Sequence, residues 1–221
     1  IKYNIPSANY QWDNSELFEK GNPAKRYPLE EFVRKAYLAR ISLSEQAFYS
    51  TPGIFFDREL SRGTPFFYYV TGICSTEVEV DMLTGAHKIL RADILHDAGE
   101  SLDWEIDRGQ IEGAYIQSAG WVTMEELVYN PKGVLITASP DSYKIPGIAD
   151  IPEDFRVTAF KGNPFREGIL GSRAIGEPPF IYGLSVWLAI KDALKSYRGG
   201  GFRFDLPATK ERIVKCAYRY E

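Results

Sequence analysis

The chain has 221 residues, 44% of them hydrophobic and 25% charged, with a formal net charge of -4 and a pI near 5.4. These proportions suit a globular protein with ample residues for a buried core. An acidic balance with no long basic run argues against a nucleic-acid partner. The longest apolar stretches, such as residues 181–190, are too short and interrupted to cross a membrane.

Cys74 and Cys216 are the only cysteines. They are too few for a disulfide framework and too far apart for a zinc motif, so no metal ligand set is expected. Two thiols fit a reducing compartment, with a single bridge left open. The N-terminus lacks a signal-peptide pattern, which points to a cytoplasmic location. A first residue of Ile rather than Met suggests a fragment or a processed chain.

Taken in order, residues 1–28 are aromatic and Asn-rich without clear periodicity, and irregular structure is expected there. Residues 28–40 predict a helix, because Leu29, Phe32, Val33, Ala36 and Tyr37 form one apolar stripe and Glu30 and Glu31 suit its first turn. Thr51-Pro52-Gly53 marks a turn. Residues 76–81 alternate Glu77, Glu79 and Asp81 against Val78 and Val80, the pattern of a half-exposed strand. Residues 83–86 turn the chain into a second strand at 89–95, making a hairpin.

Helical spacing follows over residues 109–127, despite Gly109, Gly113 and Gly120, each of which weakens a helix by up to roughly 1 kcal/mol relative to Ala. Short strands are expected at 133–137 and 155–160. A loop at 171–179 precedes an apolar helix at 180–197, which ends at Gly199-Gly200-Gly201. Residues 209–220 form a last helix with Thr209 as its N-cap. Together these elements predict an α+β fold of mixed and antiparallel sheets packed with helices. The whole of 1–221 is taken as one portion of a domain, with a C-terminal loop and helix at 198–221.

Three features invite a chemical reading. Gly109-Gln110-Ile111-Glu112-Gly113 lacks the spacing of a phosphate-binding glycine loop, and close helix packing is the ordinary explanation for its glycines. Gln110 and Gln117 fall near one helical face, where two amides can bond a polar cofactor or cap a neighbouring loop. His87 and His96, the latter beside Asp97, have no nucleophile signature nearby, so ordinary polar roles are expected. Gly176-Glu177-Pro178-Pro179 is the sharpest motif. Pro178 biases Glu177 toward extended backbone, and Pro179 suits a first helical turn. Glu177 is either an acid favourably placed at a helix start or a preorganised general base.

Several segments, in this order, resemble the C-terminal stretch of the molybdenum-binding subunit of xanthine dehydrogenases, within the molybdenum hydroxylase family. They are residues 36–52 (AYLARISLSEQAFYSTP), 76–85 (TEVEVDMLTG), 109–117 (GQIEGAYIQ), 142–146 (SYKIP), 151–157 (IPEDFRV), 174–180 (AIGEPPF) and 204–210 (FDLPATK). The similarity spans roughly residues 29–215. It implies the C-terminal part of a molybdopterin-binding domain, with Glu177 as the catalytic base and Gln117 and Gly176 as contacts to the molybdenum cofactor. It also implies oxidation of hypoxanthine and xanthine to urate, by base-assisted attack of a molybdenum-bound hydroxyl and hydride transfer to its sulfido ligand. Electrons would leave through 2Fe-2S centres and FAD to NAD on other parts of the enzyme.

The implied partners are the remainder of the molybdenum-binding subunit, an Fe-S/FAD-binding subunit or domain, and the purine substrate. A related N-heterocycle or aldehyde hydroxylase, or a scaffold without catalysis, is the alternative. The chain departs from the family pattern at Asp103-Trp104 and at Ser118-Ala119, next to Gln117. Residues that clamp substrate in the family belong to upstream sequence, so the chain alone is expected to be inactive.

Overall fold

The computed structural model describes residues 10–219. It contains two compact units, residues 1–67 and residues 68–221. The division falls within an aromatic run, where composition marks no linker.

In the first unit, β1 (Tyr10–Asp13), β2 (Glu16–Glu19) and β3 (Asn22–Pro28) form an antiparallel sheet in that order. This corrects the expectation of irregular structure; residues 1–9 of that stretch lie outside the described residues. Strands this short leave little room for a period of two. The turns define them instead. Asn14 and Ser15 both take positive φ, 46° and 64°, the backbone of a two-residue primed hairpin turn.

Helix α1 (Leu29–Leu38) carries Glu30 and Glu31 in its first turn, and of the expected apolar stripe only Ala36 is buried. Phe32 and Ala36 line a shallow hollow with Tyr10, Leu17 and Tyr27. The turn at Pro52-Gly53 is present, followed by a small antiparallel ribbon of β4 (Phe55–Asp57) and β5 (Arg62–Thr64).

The second unit is built on the expected hairpin, β6 (Gly72–Val80) and β7 (His87–His96). Asp81 fastens its turn, accepting hydrogen bonds from the Leu83 N–H at 2.9 Å and the Thr84 hydroxyl at 2.7 Å. β8 (Asp154–Ala159) joins the far side of β7 in parallel. On β6, Cys74, Thr76, Val78 and Val80 are half-buried while the residues between them are exposed. Helices α2 (Trp104–Thr123) and α3 (Leu184–Arg198) bury the inner face of this sheet with a core that includes Ala92, Ile94, Tyr115, Val186 and Ile190. α4 (Lys210–Tyr218) adds Ile213, with Thr209 capping it by accepting from the Arg212 N–H at 3.3 Å. The fold is α+β, as expected.

Several boundaries differ from expectation, among them the end of α2, at Thr123 rather than 127, and the start of β6, at Gly72 rather than 76. Helix α2 starts at Trp104 rather than 109, because the Asp103 carboxylate accepts from the backbone N–H groups of Glu105 (3.1 Å) and Ile106 (3.3 Å). The strand expected at 133–137 is reduced to one bridge between Tyr129 and Leu135. The helix expected at 180–197 is two elements, a 3-10 helix at Pro178–Gly183 and then α3. Gly183 marks the break, pressed so closely on α2 that a Cβ there would lie 2.3 Å from the Ser118 hydroxyl.

Gly183→Ala should therefore lower stability by about 1–3 kcal/mol, the usual cost of overpacking. Gly200→Ala, at an exposed site with nothing within 4 Å of the added methyl, should stay within roughly 0.5 kcal/mol of the parent. Denaturant midpoints of the two variants give the comparison, and equal midpoints would contradict it.

Candidate functional site

Helix α2 presents two unlike faces. Ile111, Ala114, Tyr115, Ser118, Ala119 and Val122 are buried against the sheet and α3. Gln110, Gly113, Gln117 and Trp121, at spacings of three and four, form an exposed strip on the other side. A Cβ placed on Gly109 or Gly113 would meet nothing within 4 Å. Close packing within this chain is thus not what these two glycines serve, contrary to the ordinary expectation. Gly120 does fit that expectation, since its Cβ would lie 2.2 Å from the Pro146 ring.

The loop carrying Glu177 runs beside this strip. A Cβ on Gly176 would sit 3.9 Å from Gln110 Oε1, and the Phe180 ring lies 5.6 Å from that of Trp121. Gly113 and Gln117 fall between these two points of the helix. The structure thus brings Gly176, Glu177 and Gln117 to one side of the second unit. Glu177 is exposed and is the N-cap residue of the 3-10 helix, where its side chain makes no capping bond. Its backbone is helical (φ -94°, ψ -40°) rather than extended. The turn closed by the Phe180 N–H on the Glu177 carbonyl, 3.0 Å, outweighs the steric preference that Pro178 imposes.

His96 has the polar role expected of it, whereas the buried Nδ1 of His87 has no hydrogen-bond partner among the described residues. His96 is fully buried, and its Nδ1 shares a 2.6 Å hydrogen bond with the Tyr182 hydroxyl. Its Nε2 has no partner among the described residues. Burial pushes the Tyr182 phenol up to about 12, with the Cys74 thiol adding to the shift, so it keeps its proton. Nearby, the Thr76 hydroxyl contacts Tyr115 (3.0 Å) and Ser185 (2.6 Å), and Ser185 donates to the Tyr182 carbonyl at 2.7 Å.

Asp97 accepts from Arg173 (2.9 Å), Asn163 (2.6 Å) and the Gly99 N–H (3.0 Å). Sequence reasoning missed Tyr182, Arg173 and Asn163. Their partners are 66 to 86 residues away in the chain, and no local pattern marks them. Cys74 and Cys216 are both free thiols. Among the described residues no group of His, Cys, Asp and Glu side chains could hold a metal, and no helix is long and apolar enough to cross a membrane.

Residues 2–152 match the sequence model of the molybdopterin cofactor-binding domain. The chain belongs to that family. It is 44% identical over 206 residues to the xanthine dehydrogenase/oxidase of Felis catus, and 47% identical over 189 residues to that of Gallus gallus. These matches cover 90% and 83% of this chain but only 15% and 14% of the relatives' length. Among solved structures, quinoline 2-oxidoreductase from Pseudomonas putida 86 superposes on 96% of the chain and 26% of its own, with a TM-score of 0.68 and 25% identity. The family match contains Gln117 and stops short of Gly176 and Glu177. The longer match to the cat enzyme necessarily includes those two, which lie too far from either end to be left out.

Burial holds the pKa of His96 below the usual 6.5, against the pull of Asp97 and Asp107. Burial lowers His87 too, with Asp150 opposing it and Lys210 adding to it. Between the lowered folded values and 6.5, the unfolded chain binds more protons, so folding stability falls as pH drops below about 6.5. The denaturant midpoint should be lower at about pH 5.5 than at about 7.5, and His96→Gln should flatten that slope. A midpoint independent of pH in this window would refute the assignment.

Proposed function

We propose that this chain forms part of the cofactor-bearing wall of a molybdenum hydroxylase of the xanthine dehydrogenase type. One observation carries the reading. Two glycines in the middle of a 20-residue helix face open space, each at a cost of roughly 1 kcal/mol against Ala. A helix surface without Cβ atoms lets a bulky group come close to the backbone. The flanking Gln110 and Gln117 amides offer both donors and acceptors to a heteroaromatic, polar ligand. The residues present therefore fit a pterin. In this reading Gln117 and the Gly176 backbone hold the molybdenum cofactor.

When bound, that cofactor supplies the two-electron redox centre of the reaction. Glu177 supplies the proton chemistry. Its carboxylate accepts a proton in the oxidation step, from a loop stiffened by two prolines with fixed φ. Exposure of Glu177 in this chain agrees with a site completed by other polypeptide. The remainder of the molybdenum-binding subunit and an Fe-S/FAD-binding part, passing electrons to NAD, are the proposed partners in a cytoplasmic enzyme. Hypoxanthine and xanthine are the proposed substrates. Identity of 44% to a xanthine dehydrogenase/oxidase, against 25% to a quinoline oxidoreductase, favours a purine over another N-heterocycle.

In the complete enzyme, Glu177→Gln should leave molybdenum and pterin content unchanged and cut turnover by about 10²–10⁴-fold, as expected for loss of a general base. Retained turnover would remove Glu177 from that role. Gly113→Leu should instead give a folded protein with depleted molybdenum, because a Cβ there meets nothing within 4 Å among the described residues and the side chain beyond it enters the proposed cofactor space. Elemental analysis of the purified variant decides, and full molybdenum loading would place the cofactor elsewhere.

A further inference from the structure

Two consecutive residues at the end of β7 hold the two ends of the segment that carries Glu177. Downstream of Glu177, Tyr182 is bonded to buried His96 at 2.6 Å. Tyr182 is itself only 7% exposed, and its hydroxyl fills the space above Gly72, where a Cβ would lie 1.7 Å away. No other residue fits at position 72 without displacing the phenol. Upstream, the Arg173 guanidinium donates to Asp97 at 2.9 Å and to the Asn163 carbonyl at 2.8 Å. It also lies 5.3 Å from the centre of the Phe165 ring. The backbone agrees with the side chains, since the Arg173 N–H donates to the Ala98 carbonyl at 2.7 Å.

Both anchors are nearly dry. The Arg173 and Asp97 side chains are 11% and 10% exposed, and His96 is completely covered. Buried polar pairs of this kind add little net stability over well-packed apolar residues. What they add is direction, because hydrogen bonds are angular and apolar contacts are not. A reactive carboxylate needs that, since productive geometry tolerates errors of only about half an ångström.

We propose that the His96-Asp97 dipeptide is a positioning element that fixes the aim of the Glu177 carboxylate from both ends of its loop. This rests on the reading of Glu177 as the base. His96 and Asp97 touch neither cofactor nor substrate in this scheme; they act through Tyr182 and Arg173.

The test is a double-mutant cycle in the complete, cofactor-loaded enzyme. Tyr182→Phe removes one hydroxyl and keeps the ring, and Asp97→Asn keeps the shape and removes the charge. Each should lower kcat by about 10–100-fold, the scale of a misplacement near 1 Å, with KM and molybdenum content little changed. In a Glu177→Gln background the same substitutions should cause no further loss. An equal fold-loss in both backgrounds, or no loss in either, would overturn the proposal. Hydrogen exchange at the 174–177 amides gives a readout independent of turnover and should quicken in Tyr182→Phe and Asp97→Asn. Should Glu177→Gln itself keep full turnover, the base reading fails. Unchanged exchange in that case would overturn the positioning element as well.

Discussion

β7 is the one strand of the larger unit with a hydrogen-bonded neighbour on both sides among the described residues, and the other elements of that unit are placed by reference to it. Its inner face carries small and branched residues, Ala92 at 0% and Ile94 at 2% exposure, and the helices pack against them. Tyr115 on α2 lies 5.2 Å from the Phe155 ring on β8 and its hydroxyl is 3.0 Å from that of Thr76 on β6, so a single aromatic reaches the strands on either side of β7. Because the inner face is fixed in this way, α2 can turn its opposite face outward without losing its position.

Polar groups buried in the layer between β6 and the helices are paired as well. Tyr115, Thr76 and Ser185 satisfy one another under the sheet, and burial pushes the Tyr115 phenol well above its ordinary range, so the cluster stays neutral. A neutral, mutually satisfied cluster avoids the desolvation cost of a charged one. The charged pair, Asp97 with Arg173, is placed instead where β7 ends and the chain enters loops. There its carboxylate also gathers a backbone N–H and an amide.

Much of this is legible in the amino-acid order alone. The Glu77/Val78/Glu79/Val80 alternation specifies which side of β6 is wet, and the Gly176-Glu177-Pro178-Pro179 segment identifies the stiff acidic turn. Thr209 announces α4 by its side-chain chemistry. Other features are not legible, for reasons that are physical. The β1–β3 sheet rests on left-handed turn residues at Asn14 and Ser15, which a hydrophobic period does not register. The division of one apolar run into a 3-10 helix and α3 depends on how close Gly183 lies to Ser118, a contact made only in three dimensions. The His96-Asp97 pair is visible in the sequence, but its partners Tyr182, Asn163 and Arg173 lie 66 to 86 residues away, where no local pattern marks them.

On the proposed reading, the two open glycines of α2 set stability and function against each other at the same atoms. A helix selected for robustness alone would carry alanine at 109 and 113 and gain up to roughly 1 kcal/mol at each. Nothing within this chain would object, since both positions look onto empty space. Protein engineers screening for thermal resistance would accept such substitutions and fill the strip proposed for a ligand. Glycine at those positions is best understood as room left for something the polypeptide does not itself contain.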